Sequence, residues 1–459
     1  MRYPSSNAPA LLDATSGQVL TYAQLDERVT RRTSELPRDA GLVVLAMEQT
    51  IESIVDFLAL LETGQPVVPT DPHLSAVRLN AFAERYAADV VIDRRNRWRL
   101  AWPYSSSDPG IFERSYGPRS HPDLALLLST SGSTGSSKLV RLSANAIAKN
   151  ASAVGVSLDL RPADRAPTLL PLHYIYGLSV LLSHLTAGAS VLVTGRSVIE
   201  PEFWTDFATS ECTILNAVPY TFHMLRRTGF YERELPSLRA VTQAGGQLRP
   251  DLMKDAEQRL TNMGTGLYVM YGQTEAAPRI ACLAPVDLRE RFGSVGRPLQ
   301  GGEVSIVGKD GIAKPPGEMG EVVYSGPNVM LGYADCRDQL ALGDVNQGRL
   351  FTGDLGYLDA EGFIYITGRL KRIGKVFGMR LNLDEVEGML PDLDPVAVVQ
   401  GNDCVDVFTE SEGSDLAGAR MRIAAELGLP LAAVKVHIMD RIPLLPTGKP
   451  DYMALTRGA

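Results

Sequence analysis

Residues 124–138 constrain this chain more than any other stretch. Leu124-Ala125-Leu126-Leu127-Leu128 is an apolar run of the kind that fills a buried strand. It leads directly into Ser129-Thr130-Ser131-Gly132-Ser133-Thr134-Gly135-Ser136-Ser137-Lys138. Gly132 and Gly135 let the loop turn tightly and bring its amides close to an anion. The hydroxyls of Thr130, Ser131, Ser133 and Thr134 add donors, and Lys138 adds a charge that can reach phosphate oxygens. By composition alone the stretch also fits a polar Ser/Gly linker. Linkers, however, seldom lie between a buried strand and a second apolar segment. The segment reads better as a cradle for a nucleoside triphosphate. It is not the G-x-x-x-x-G-K-[ST] loop, because the chain has Ser137 and Leu139 where that pattern needs Gly and Ser or Thr.

The segment resembles the T-S-G-S-T-G-x-P-K signature of the adenylate-forming superfamily, which includes acyl-CoA synthetases, nonribosomal peptide synthetase adenylation domains and luciferase. It departs from that signature at Ser137 and Leu139. Further elements follow in the family's order. Leu20-Thr21-Tyr22-Ala23-Gln24-Leu25 resembles L-T-Y-x-E-L, and Leu61-Glu62-Thr63-Gly64 with Pro69-Thr70-Asp71-Pro72 resembles L-x-x-G…P-L-D-P. Tyr271-Gly272-Gln273-Thr274-Glu275 matches Y-G-x-T-E, and Thr352-Gly353-Asp354 matches T-G-D. Gly368-Arg369 opens a segment ending in Gly378-Met379-Arg380…Glu385-Val386-Glu387, and Leu445-Pro446-Thr447-Gly448-Lys449 resembles the terminal P-x-x-x-x-G-K motif. These elements run from residue 20 to residue 449 and so cover nearly the whole chain.

The resemblance implies an α/β protein in two parts. Residues 1–369 would form a large N-terminal ATP- and acid-binding domain of layered α/β subdomains plus a small β-barrel. Residues 370–459 would form a small mobile C-terminal α/β lid, shorter than is usual for the superfamily. The residue pattern agrees with this division. Short apolar runs such as Leu42–Leu45 and Val191–Val193 alternate with helical patterns, of which residues 51–63 are the clearest. From about residue 293 the character shifts to short strands and glycine turns, as in Val304–Val307, Gly320–Tyr324 and Asp359–Ile366. In the lid, Pro395–Gln400 and Val405–Thr409 are expected to pair as strands, and Ala417–Leu427 to pack as a helix.

Composition narrows the function classes. A chain of 459 residues with 45% hydrophobic and 21% charged residues is ordinary for a globular protein. Net charge is −8, which argues against a nucleic-acid partner. The N-terminal residues lack the pattern of a signal peptide, and no apolar stretch is long enough to span a bilayer, so a cytoplasmic location is expected. Cys212, Cys282, Cys336 and Cys404 form no C-x-x-C and read as free buried thiols. No H-E-x-x-H motif suggests a protein-held zinc site.

Making an acyl-adenylate requires an enzyme to hold ATP, neutralise charge at the α-phosphate and align a carboxylate. The resemblance gives Glu275 the role of Mg2+ ligand, Tyr271 a place against adenine, and Gln273 and Thr274 the phosphate side. Gly272 belongs to the same motif. Ala244-Gly245-Gly246 resembles the small-residue segment that flanks adenine. Asp354 would accept the ribose hydroxyls, and Arg369 would reach ribose or phosphate. Lys449 would stabilise the transition state at the α-phosphate, and Lys371 would be the hinge. Rotation there would exchange Lys449 for Gly378 and open the site to the thiol of CoA or of a carrier protein's phosphopantetheine. Each of these residues, taken singly, would equally suit a surface loop.

The acid itself is the least constrained part. Leu170-Pro171-Leu172-His173-Tyr174-Ile175-Tyr176-Gly177 resembles the P-x-F-H-x-x-G segment of acyl- and aryl-CoA ligases, with aromatic and histidine exchanged. His173, Tyr174 and Ala276 are the candidate acid-pocket residues. The aspartate with which amino-acid-activating domains hold an α-ammonium is missing here, which favours a plain acyl or aryl carboxylic acid. Two other readings stay open. One is an adenylate-forming enzyme with a non-thiol acceptor or an unusual acid, and the other is a catalytically idle binding protein of the same fold.

Overall fold

Thr50 accepts a hydrogen bond from the Ser53 amide and so starts the helix Ile51–Glu62, whose residues are buried almost throughout. That burial reflects the helix's place beneath a large mixed sheet. The computed structural model describes residues 6–37, 40–94, 105–108, 111–113, 119–129, 138–376, 379–393, 395–411, 415–445 and 449–458. Among these, the large sheet runs in the order Gly332–Ala334, Leu139–Ser143, Leu124–Ser129, Val67–Thr70, Val43–Ala46, Val90–Ile92, Ile111–Glu113 and Ser105–Asp108. Its middle pairings are parallel (Val43 opposite Val67, Val67 opposite Leu126), so those strands are covered on both faces and read as continuous apolar runs.

A second sheet carries the Y-G-x-T-E motif. Ile214–Ala217, Ala240–Gln243 and Gly266–Gly272 are parallel, and Arg279–Leu283 returns antiparallel against the last of them. The return is tight. At Gly272 a side chain would overlap the carbonyl oxygen of Pro278, so only glycine fits the crossing. The region expected as a barrel forms, in the described residues, an antiparallel sheet in the order Glu303–Val307, Gly320–Ser325, Arg349–Leu358 and Ile364–Arg369. One apolar core joins the large sheet to its neighbours through Leu45, Leu126, Leu178, Ile280 and Tyr324. Each such buried aliphatic side chain contributes about 1.5–3 kcal/mol.

Past residue 372 the chain builds a core of its own. Val398, Val405, Ile423 and Val434 share a separate apolar cluster. Val396–Gln400 and Val405–Thr409 pair antiparallel, Val434–Ile438 adds in parallel, and the helix Leu416–Leu427 packs on the last strand. The strands and helix expected there are present. The thiols differ from expectation in one respect: Cys212 and Cys404 are buried, but Cys282 is only partly so and Cys336 is exposed, because it precedes a surface turn at Arg337–Ala341. Among the described residues, no helix is long and apolar enough to cross a membrane.

Candidate active site

Two strand ends, a turn and a bend within a long strand converge. The strand Gly266–Gly272 delivers Tyr271, and Thr274–Ala276 forms a single 3-10 turn carrying Glu275. The long strand Arg349–Leu358 delivers Asp354, and its partner Ile364–Arg369 places Arg369 directly opposite Asp354. Gly353, at φ +71°, bends the strand there, and the Thr352 hydroxyl accepts the Asp354 amide at 3.1 Å.

Asp354 is 1% exposed. Its Oδ2 accepts the Tyr271 hydroxyl at 2.6 Å. Arg369 Nε lies 2.7 Å from Oδ1 as an ion pair, yet not at the angle of a hydrogen bond, and Oδ1 has no hydrogen-bond partner. A buried carboxylate oxygen that is ion-paired but accepts no hydrogen bond is unusual in a folded protein. Here it suits an acceptor awaiting hydroxyl donors. Burial, together with the neighbouring Asp354 charge, pushes the Tyr271 phenol well up, so it stays a donor. Gln273 donates to the Thr352 carbonyl at 3.3 Å and ties the two motifs together. Thr274 stands in the turn beside them.

Glu275 accepts the Tyr333 hydroxyl at 2.7 Å on Oε1, and its backbone carbonyl accepts the Met330 amide. That leaves Oε2 for another partner. Among the described residues, no group of three His, Cys, Asp or Glu forms a metal cage. One hard carboxylate oxygen is what magnesium needs when phosphate oxygens and water supply its other positions. Lys449 reaches the same place from the C-terminal segment. Burial and the nearby Arg369 charge bring its ammonium down to about 8, while Asp354 and Glu275 oppose the fall. The C-terminal segment also touches the body elsewhere: Arg441 donates to the Tyr220 hydroxyl at 3.1 Å.

Other candidates fall as follows. Thr130, Ser131, Gly132, Ser133, Thr134 and Gly135 lie outside the described residues, as does Gly378. Lys138, at the end of that loop, is half exposed and 3.5 Å from Asp335. Ala244 is buried, and Gly245 adopts φ +86°, turning the chain after the strand Ala240–Gln243. A side-chain carbon at Gly245 would come 3.0 Å from the Tyr174 hydroxyl. Gly246 follows, exposed. Lys371 lies in a short 3-10 turn, Leu370–Arg372, between the two cores.

Of the three acid-pocket candidates, Tyr174 lines a cavity of about 180 Å³, together with Leu169, Pro171, Val218, Tyr220 and Met224. His173 is partly buried with Nε2 unpartnered. Burial lowers its pKa, and the charge that raises it is Asp71, in the loop after the strand Val67–Thr70. Ala276 is packed in the main core, where its carbonyl accepts from the Asn328 amide. Sequence reading missed Tyr333 and Asp335, which touch Glu275 and Lys138. They stand far from those partners along the chain, so no spacing could signal them.

Known proteins are similar to this chain. A family model described as AMP-binding enzyme matches residues 2–334. Sulfoacetate–CoA ligase of Cupriavidus necator is 33% identical over 74% of this chain and 69% of its own length. Oxalate–CoA ligase of Arabidopsis thaliana is 27% identical over 94% of this chain and 91% of its own. Among solved structures, o-succinylbenzoate CoA synthetase from Bacillus subtilis, in complex with its acyl-adenylate intermediate, has a TM-score of 0.78 at 23% identity, covering 98% of this chain and 95% of that one. It has the same fold.

Proposed function

Since this chain belongs to the AMP-binding enzyme family, we propose that it is an acid–thiol ligase that activates a carboxylic acid with ATP and passes the acyl group to CoA. The acid's carboxylate oxygen attacks the α-phosphorus, the bond to the bridging oxygen breaks, and pyrophosphate leaves. The CoA sulfur then attacks the acyl carbon and AMP departs. The observation that supports this reading is the convergence of Lys449 with Asp354, Arg369 and Glu275, where in this reading a nucleotide's α-phosphate lies.

In this reading Asp354 accepts the ribose hydroxyls through Oδ1, and Tyr271 holds the carboxylate in place while its ring lies along adenine. Ala244, Gly245 and Gly246 leave room for the flat base. Gln273 and Thr274 line the phosphates, and Lys138 adds a charge for them. Glu275 would hold Mg2+, which neutralises phosphate charge. Residues 1–369 and 370–459 act as two domains, with Lys371 as the hinge. The separate apolar core past residue 372 supports that division. Lys449 swings away for thiolation. The acid enters beside Tyr174. The enzyme works in the cytoplasm, where ATP and CoA are available. A carrier-protein thiol in place of CoA is the second acceptor to test.

The test is acid-dependent exchange of labelled pyrophosphate into ATP across a panel of aliphatic and aromatic acids, followed by thioester formation with CoA. Exchange with at least one acid, and a CoA thioester of the same acid, is expected. Exchange without a CoA thioester would point to a carrier-protein thiol or to a non-thiol acceptor. Neither, from folded protein that binds ATP, would point to an idle binding protein.

A further inference from the structure

Arg279 is a buried cation without a carboxylate. Its side chain lies in the strand Arg279–Leu283, is 4% exposed, and has no ion pair among the described residues. Nε has no hydrogen-bond partner. The backbone is pinned, since its N–H donates to Asn150 and its carbonyl accepts from Asn150 and Asn328. Among the described residues, the groups that act on its charge are phenols and a thiol: Tyr176, which also approaches it as a hydrogen-bond partner, Tyr174 and Cys282. Its guanidinium sits 4.0 Å over the Tyr176 ring. A cation–π contact offsets part of the cost of burying a charge. It does not replace a counter-ion, and an unpaired buried guanidinium is expensive to keep.

The location says what could pair with it. Arg279 follows the Thr274–Ala276 turn and stands opposite Gly272 in the strand register, so it shares a wall with the nucleotide side. Tyr176, under the guanidinium, packs edge-on against Tyr174 at 6.4 Å, and Tyr174 lines the cavity beside Val218. An acid lying against Tyr174 would have the Tyr176 ring, and the guanidinium over that ring, as its next neighbours. Resting on the acid-ligase reading above, we infer that Arg279 binds a second anionic group on the acid and selects dianionic substrates over monoanionic ones. Guanidinium geometry suits a carboxylate or sulfonate held by two parallel bonds.

Dicarboxylates and their monoamides, equal in shape and different in one charge, provide the test. Succinate against succinamate, glutarate against glutaramate, and isophthalate against 3-carbamoylbenzoate are compared as kcat/KM in pyrophosphate exchange. The wild type should favour the dianion of at least one pair by about 10²-fold or more. Arg279→Met should compress that ratio at least about tenfold, and Arg279→Lys should retain part of it. ATP binding by calorimetry shows whether Arg279→Met is folded, and the wild-type ratios stand without it. Turnover of the monoamides as well as or better than the dianions, or an unchanged ratio in a folded Arg279→Met, would overturn the assignment while leaving the ligase reading in place. Exchange with no acid, here or in the wider panel, would overturn both.

Discussion

The Tyr271 hydroxyl donates to Asp354 across 2.6 Å, linking two motifs that lie far apart in the sequence. One oxygen of the carboxylate is thereby fixed, and the other is ion-paired with Arg369 but accepts no hydrogen bond. In the proposed reading, a strand end from the second sheet and a bend in the antiparallel sheet thus form a single nucleotide-binding edge.

Asp354→Ala should weaken ATP binding by about 1.5–3 kcal/mol, because buried ribose hydroxyls would lose a charged acceptor. Tyr271→Phe should have a smaller effect in the same direction, since the carboxylate remains but turns more freely. Calorimetry with ATP measures both. Unchanged affinity in Asp354→Ala would remove that residue from the site.

Glu275→Ala should lose most adenylation, and raising Mg2+ should restore part of it. Tyr333→Phe should fall less, because it removes the orienting hydrogen bond on Oε1 and not the ligand. Pyrophosphate exchange over a Mg2+ titration checks this. Wild-type exchange by Glu275→Ala at ordinary Mg2+ would show that Glu275 does not hold the metal.

Lys449 sets a pH dependence whose sign follows from burial. Its ammonium titrates near 8 in the fold against 10.5 as its ordinary value. Below about pH 8 it is charged in both the folded and unfolded states, so the cost of burying the charge is fully present. Between about 8 and 10.5 the folded form has lost its proton and the unfolded form has not, so this contribution to stability rises with pH. Adenylation needs the charged form, and kcat/KM should fall as pH rises through about 8. Lys449→Arg should lack that alkaline limb in whatever activity it keeps. An alkaline limb identical in both proteins would assign it to another group.

Much of this was legible in the sequence because motif residues carry their chemistry locally. Tyr271 ends its strand beside Gly272, Glu275 sits in the turn that follows, Asp354 follows the bend at Gly353, and the apolar runs at residues 43–46, 67–70 and 190–193 mark buried strands. What was not legible depends on tertiary approach. Tyr333 reaches Glu275, and Asp335 reaches Lys138, only because the strand Gly332–Ala334 pairs with Leu139–Ser143. Ala276, a candidate acid-pocket residue by sequence, is buried in the main core by the strand return. Arg279 gave no signal at all, because an arginine's lack of a partner exists only in the folded chain.

Lys371→Pro should separate the two half-reactions from the hinge side. Proline fixes φ near −65° and should block rotation there. With the lid held as it is here, adenylate formation should survive and transfer to CoA should fail. Thioester formation at the wild-type rate would move the hinge elsewhere.

The account turns on Lys449 acting in one half-reaction only, and single-turnover kinetics of Lys449→Ala measure that most directly. Acyl-adenylate formation from ATP and acid should fall by about 10²–10³-fold, the scale of losing one transition-state donor. Thioester formation from chemically supplied acyl-adenylate and CoA should proceed near the wild-type rate. Equal losses in both half-reactions would contradict a rotating lid and indicate one working conformation for the whole reaction.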